Sequence, residues 1–265
     1  MVNSMQAAVI KKDFMGIVSN KQLFISLLIV PFVFTVIFPA MFILMFYFIP
    51  EGEMGEIQEL FDLMVPAGKQ FDDMNTALIS LILNYMMPMF FLLIPILAST
   101  IMAASSFVGE KEKRTLETLL YCPLSLKQIF HSKVWASFLL SMTVSFASFF
   151  VMIVTVETGA ILTAGSMLLP DLSWLVMMLL VSPAVSLLAI TLIVGGSAKA
   201  KTVEESQTRS LFLIMPLMLV IVVQFTGVIF ISALYLLIFG AVLAALAFVF
   251  MKRSMRKFTY ELLLK

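Results

Sequence analysis

The sequence predicts an all-α integral membrane protein with six transmembrane helices, an N-terminal interfacial amphipathic helix and a cytoplasmic helix between the second and third spans. Three observations carry this. Of the 265 residues, 62% are hydrophobic and only 12% charged, with a mean hydropathy of +1.09, whereas soluble domains average about 45–50% apolar and about 25% charged residues. Long uncharged runs recur along the chain. Lysine and arginine are confined almost entirely to four of the segments around those runs.

Residues 1–22 precede the first run. Ile10, Phe14, Ile17 and Val18 form an apolar stripe with Lys11, Lys12 and Lys21 beside it. This predicts a helix lying in the inner interface, its lysines toward anionic headgroups. The segment lacks a continuous apolar stretch with a small-residue cleavage site, so no cleavable signal is expected.

About 20 apolar residues cross the hydrocarbon core as a helix. Residues 23–49 make the first span. Residues 74–108 are also uncharged and too long for one upright crossing, so Pro88 and Pro95 are expected to kink the second. The third and fourth spans are 134–156 and 172–197. The last uncharged run holds two more, 210–227 and 229–251, hinged near Gln224–Gly227; one span plus a re-entrant segment is the other reading. Residues 252–265 form a tail.

Orientation follows from the basic residues. The N-terminal segment, residues 109–133, residues 198–209 and the tail together hold every Lys and Arg except Lys69. Lys69 sits in an acidic loop with Glu51, Glu53, Glu56, Glu59, Asp62, Asp72 and Asp73. Both termini are therefore expected in the cytoplasm of a multi-pass plasma-membrane protein. In that outer loop Ile57, Leu60, Phe61 and Met64 have the spacing of a short amphipathic helix.

The stretch "GEKEKRTLETLLYCPLSLKQIF" interrupts this greasy chain with alternating charges. Thr115 can cap a helix whose Glu117 complements the positive end of the helix dipole. Leu116, Leu119 and Leu120 make a one-sided apolar face, and Pro123 stops the helix. Ser125 offers a second start leading into the third span. A solvated loop obeying the positive-inside rule accounts for the lysines, but not for the interleaved Glu110, Glu112 and Glu117 or the leucine face. A docking surface accounts for both.

The chain contains no phosphate loop, no HExxH or GxSxG motif and no cysteine pair. His131 has no carboxylate or cysteine neighbour in sequence and reads as structural. The predicted spans hold no ionisable residue, which a proton- or sodium-coupled carrier usually needs. Free energy for uphill transport would have to enter from another subunit. Net charge is +1, so no nucleic acid partner is expected.

"EKEKRTLETLLYCPLSLKQIF", followed by "HSKVW", resembles the block between the second and third helices of ABC-2 type transporter permeases. Glu110, Glu112, Thr115, Leu116, Glu117, Leu119, Leu120, Pro123, Ser125 and Lys133 stand in matching places, with Arg114 where glycine is common. "AKTVEESQ", in the loop after the fourth span, is a weaker echo. The resemblance implies the membrane subunit of an ATP-binding cassette exporter that pairs with a second permease copy or a sister permease. It also implies two cytoplasmic ABC ATPase subunits. Glu110, Glu112, Arg114, Thr115, Leu116, Glu117, Leu119, Leu120 and Pro123 would then form the ATPase-coupling contact. ATP and Mg would bind on the partner subunit, leaving this chain no cofactor, metal or catalytic residue. A drug, peptide or lipid is the expected substrate class ahead of an ion. Asn84 and Gln224 are candidate pathway residues by depth, with hydrogen bonding between helices as the competing reading. Gly240 and Ala244 suit close packing at a dimer interface. A sensory or regulatory membrane protein signalling through its cytoplasmic helix is the alternative from another class.

Overall fold

The computed structural model describes residues 4–48, 74–113, 115, 123–165, 167–168, 170–197, 200, 202–208, 211–225 and 233–257. All regular elements among them are helices. The expected outer helix at 57–64 and the leucine face at 116–120 lie outside the described residues.

Helix α1 (Ser4–Val18) precedes the first long helix, which comprises α2 (Lys21–Phe32), a wider π segment (Val33–Ile37) and α3 (Phe38–Tyr47). The chain returns through α4 (Met74–Leu81), a second π segment (Ile82–Met86), α5 (Met87–Phe91) and α6 (Leu93–Glu112). Helix α7 (Leu126–Ala164) follows, then α8 (Leu172–Val176), a third π segment (Met177–Val181) and α9 (Ser182–Ser197). Helices α10 (Val203–Thr208), α11 (Leu211–Phe225) and α12 (Ala233–Lys257) complete the described chain.

Each of the three π segments ends two residues before a proline: Ile37 before Pro39, Met86 before Pro88, Val181 before Pro183. Proline has no N–H to donate, and its ring clashes with the carbonyl four residues back. Widening the preceding turn moves that carbonyl away without ending the helix. At Pro88 the loss is made good from another helix, since Trp174 Nε1 donates to Leu83 O at 2.9 Å. The expected kink at Pro95 appears as a break at Leu92 between α5 and α6.

Helix α7 has 39 residues, about 58 Å at 1.5 Å per residue, and so projects beyond a hydrocarbon core of roughly 30 Å. Ser125 starts it with a reciprocal cap: Ser125 Oγ accepts from Gln128 N at 3.3 Å and Gln128 Oε1 accepts from Ser125 N at 2.9 Å. Gly165, at φ 65°, ends it in the left-handed conformation that glycine adopts without a Cβ penalty. The sequence places only 134–156 in this span; the helix extends past both limits, because the cap lies before the basic residues and the glycine before Gly165, Gly159, is packed closely against Ile43.

Among the described residues five helical stretches are long and apolar enough to cross a membrane: Lys21–Met45, Met87–Glu112, Leu126–Thr163, Leu172–Gly196 and Leu234–Met255. Met87–Glu112 is the buried axis of the bundle. Its Phe91 and Ile94 pack with Ile43, Met152 and Trp174, and its Ala103 and Phe107 pack with Phe130, Val134 and Ile190. Small residues permit these close approaches; Ser137, Ser141, Ser145 and Ser148 form one buried row on α7, and Ser141 Oγ donates to Pro95 O at 3.1 Å. Leu217 and Ile221 of α11 pack with Met89 and with Leu236 near the start of α12. Met251 and Met255 of α12 pack back against the Phe107–Phe130 cluster, together with Val203. The outward faces carry Phe32, Leu44, Phe150, Leu162, Leu219 and Phe248 exposed, an apolar surface far larger than water-facing proteins carry.

Candidate functional site

One end of the bundle collects the basic segments. Its centre is the last two turns of α6, where Ser106 and Glu110 lie four residues apart and so share a face. Lys133, in the second turn of α7, is only 1% exposed. Its Nζ donates to Ser106 O at 2.5 Å and to Ser106 Oγ at 3.3 Å. It also lies 2.7 Å from Glu110 Oε2 and 3.8 Å from Asp13 Oδ2, with the Phe107 ring centroid 5.5 Å away.

Helix α1 completes the cluster with two consecutive residues. Asp13 Oδ2 accepts from Ser106 Oγ at 2.5 Å, and Lys12 Nζ reaches Glu110 Oε1 at 2.5 Å. The charges alternate in space, Lys12 to Glu110 to Lys133 to Asp13. A buried ammonium with no counter-charge would be strongly unfavourable; two carboxylates and a backbone carbonyl compensate this one.

The same turn of α6 holds two further pieces. Glu110 O accepts from Thr115 N at 2.9 Å, which fixes the start of the segment leading to Pro123. Glu112 Oε2 accepts from Val203 N at 3.1 Å and holds the first residue of α10 against α6.

Of the residues predicted to meet an ATPase, Glu110 is buried inside this junction at 7% exposure. Glu112 is exposed and engaged with α10, Thr115 is tied back to Glu110, and Pro123 is exposed just ahead of the Ser125 cap. Arg114, Leu116, Glu117, Leu119 and Leu120 lie outside the described residues. Asn84 is buried toward the opposite end, where its Oδ1 accepts from Asp171 N at 2.9 Å and its Nδ2 lies 3.5 Å from Ser80 Oγ. Gln224 belongs to α11. Gly240 packs within the subunit: a Cβ there would stand 2.9 Å from Leu180 Cδ2 and 3.1 Å from Val181 Cγ2.

The structure divides the residues of the apolar stripe expected on α1 between two faces. Val9, Asp13 and Ile17 face the bundle, whereas Phe14 and Val18 are exposed. An aspartate occupies the centre of the inward face because its partners, Ser106 and Lys133, are there. Sequence reasoning missed Asp13, Ser106 and the burial of Lys133. The signal was the spacing of Asp13, four residues after Val9 and four before Ile17.

Among the described residues no group of three or more His, Cys, Asp or Glu side chains is placed to hold a metal ion. The charged groups of the junction pair with one another.

The model of the ABC-2 family transporter proteins matches residues 7–238. This chain belongs to that family. It is a multi-pass membrane protein of an ABC transport system, and membership implies association with ABC ATPase partners. Neither the curated proteins nor the solved structures yield a match. The matched range takes in α1 and the whole polar junction of this ABC-2 family protein.

Proposed function

We propose that this chain is the permease subunit of an ATP-driven ABC exporter, forming the translocation pathway as a dimer. In this reading both termini are cytoplasmic, α11 is the fifth of six spans, and residues 109–130 form the coupling element that docks on a separate cytoplasmic ATPase. ATP and Mg bind on that partner. The observation that carries the reading is the family match over residues 7–238, which covers most of α1, the junction and four of the five apolar helices in full. The convergence of Lys12, Lys133, Val203 and Met255 at one end supports the placement of the basic segments on a single side.

Two apolar recesses on the flank of the bundle support a hydrophobic or amphipathic substrate. One, of about 580 Å³, lies between α2 and α7 around Phe24, Leu28, Phe32, Ala147 and Val151. The other, of about 610 Å³, lies beside α8 around Phe150, Trp174, Leu175 and Met178. Neither lining holds a basic residue.

Cys122, the sole cysteine, tests the reading from inside the coupling element. A membrane-impermeant maleimide should label it in inside-out vesicles and not in intact cells, and a bound ATPase subunit should protect it. Labelling from outside intact cells overturns the orientation and the transporter reading together. Cytoplasmic labelling that no ATPase alters favours the sensory alternative.

A further inference from the structure

Helix α2 turns its two faces to different surroundings. Leu23 and Leu27 pack inward with Ile17, Met102 and Leu140, whereas Phe24, Ile25, Leu28, Ile29 and Phe32 are exposed. Between that outward face and α7 lies the recess of about 580 Å³. Its far wall carries Thr143, Ala147 and Ser148, short side chains that leave space beside Leu28 and Phe32. The surface it offers is hydrocarbon. Thr35 Oγ1 donates to Pro31 O and Thr143 Oγ1 to Leu139 O, each at 2.8 Å, so both hydroxyls turn to their own helices, and Ser148 is buried.

Lys21 stands at one end of this recess. It begins α2, is exposed, and shares a stripe with Ile25, Leu28 and Phe32, which follow it by four, seven and eleven residues. Among the described residues its ammonium has no carboxylate partner; Asp13 and Glu110, in the neighbouring junction, are engaged with Lys133 and Lys12. From Phe24 to Thr35 the recess follows α2 for about 16 Å at 1.5 Å per residue. Half of a hydrocarbon core of roughly 30 Å is about 15 Å. The recess is one leaflet deep, with a cation at its headgroup end.

We propose that this recess is a discrete site for one anionic phospholipid of the leaflet at the Lys21 end, with an acyl chain between α2 and α7 and the phosphate against Lys21. The order of the site matches that of the lipid: an anion at the surface, hydrocarbon below it, and no polar group required at depth. Hydrocarbon in the recess gains little over hydrocarbon in the bilayer, so selectivity comes from the charge at the mouth. A second copy of the chain seated there would bring its own basic end to the same level and leave Lys21 uncompensated. The site depends neither on which way the bundle faces nor on the coupling role of residues 109–130.

The test adds phosphatidylglycerol or phosphatidylcholine of matched acyl chains to the full chain in detergent and reads bound lipid by native mass spectrometry. One phosphatidylglycerol should survive collisional activation that strips phosphatidylcholine. Lys21→Gln should lower its retention about fivefold, the worth of one lysine at an anionic surface, and Lys21→Arg should keep it. Lys11→Gln, at an exposed position of α1, should change nothing. Ala147→Phe, which fills the recess from α7, should remove the retained lipid. In the parent chain a phosphatidylglycerol with a diazirine on one acyl chain should cross-link within 24–35 and 143–151.

Equal retention of the two lipids by the parent overturns the site, and so does a preference that Lys21→Gln leaves unaltered. Equal loss in Lys11→Gln and Lys21→Gln would mean a diffuse attraction to the basic end, and cross-links confined to other faces would place the lipid elsewhere; each refutes the proposal. No retained lipid, with a dimer that Ala147→Phe splits, would make the recess a seam between copies and refute it too. Should Ala147→Phe fail to fold, the exposed Lys21 variants and the cross-links in the parent chain still decide.

Discussion

Lys133 and Glu110 stand at the two ends of the segment that bears the family's motif, and their side chains meet at 2.7 Å. The pair lies in an interior where Lys133 also contacts Ser106 and faces Asp13. Whatever the segment does, it does so from a base shut by one buried cation.

Removing that cation leaves Asp13 without its counter-charge and Glu110 with only the more exposed Lys12. Lys133→Met should destabilise the chain by about 3–5 kcal/mol, the range for breaking a buried pair by deleting one partner. Replacing Lys133 together with both of its carboxylates, as D13N/E110Q/K133M, should recover much of the loss. Thermal unfolding in detergent, followed by size-exclusion fluorescence, reads both; equal losses in the two variants would refute the electrostatic account.

Trp174 serves a carbonyl near Pro88. Trp174→Phe removes that donor and should cost about 1–3 kcal/mol, the range for a buried polar group left unpaired. In a Pro88→Ala background the helix regains a backbone N–H, and the same substitution should cost less. A double-mutant cycle on the unfolding midpoint measures the difference, and additive losses would show that Trp174 acts by packing alone.

Gly240 sits against Leu180 and Val181 of the same chain. Gly240→Val should therefore destabilise the isolated subunit by about 1–3 kcal/mol through overpacking. An unchanged unfolding midpoint accompanied by loss of a dimer in native mass spectrometry would return this glycine to the intersubunit role that its sequence context suggested.

Ser125→Ala removes the side-chain half of the cap on α7 and should cost about 1 kcal/mol. The change is local. Hydrogen exchange should quicken over the first turn after residue 125 and remain unaltered past Lys133, which the buried cluster holds. Faster exchange along the whole helix would mean that the cap, and not the cluster, anchors it.

Some of this was legible without a fold. A helix start that depends on neighbours in sequence could be read directly, as at Ser125. The motif block pointed to the family because it is local too. The burial of Asp13 on α1 was not read, because an aspartate taken alone looks like a residue for water. Its burial depends on Ser106 and Lys133, which lie far along the chain.

By itself the sequence determined that this is a helical membrane protein of the ABC-2 kind, since hydropathy, charge distribution and a contiguous motif are properties of neighbouring residues. Only the tertiary structure decided which charges leave water, which carbonyl freed near a proline finds a donor, and which glycine faces its own chain. Each of these is an interaction between side chains or carbonyls remote in sequence, and its free energy exists only once the helices have been brought into contact.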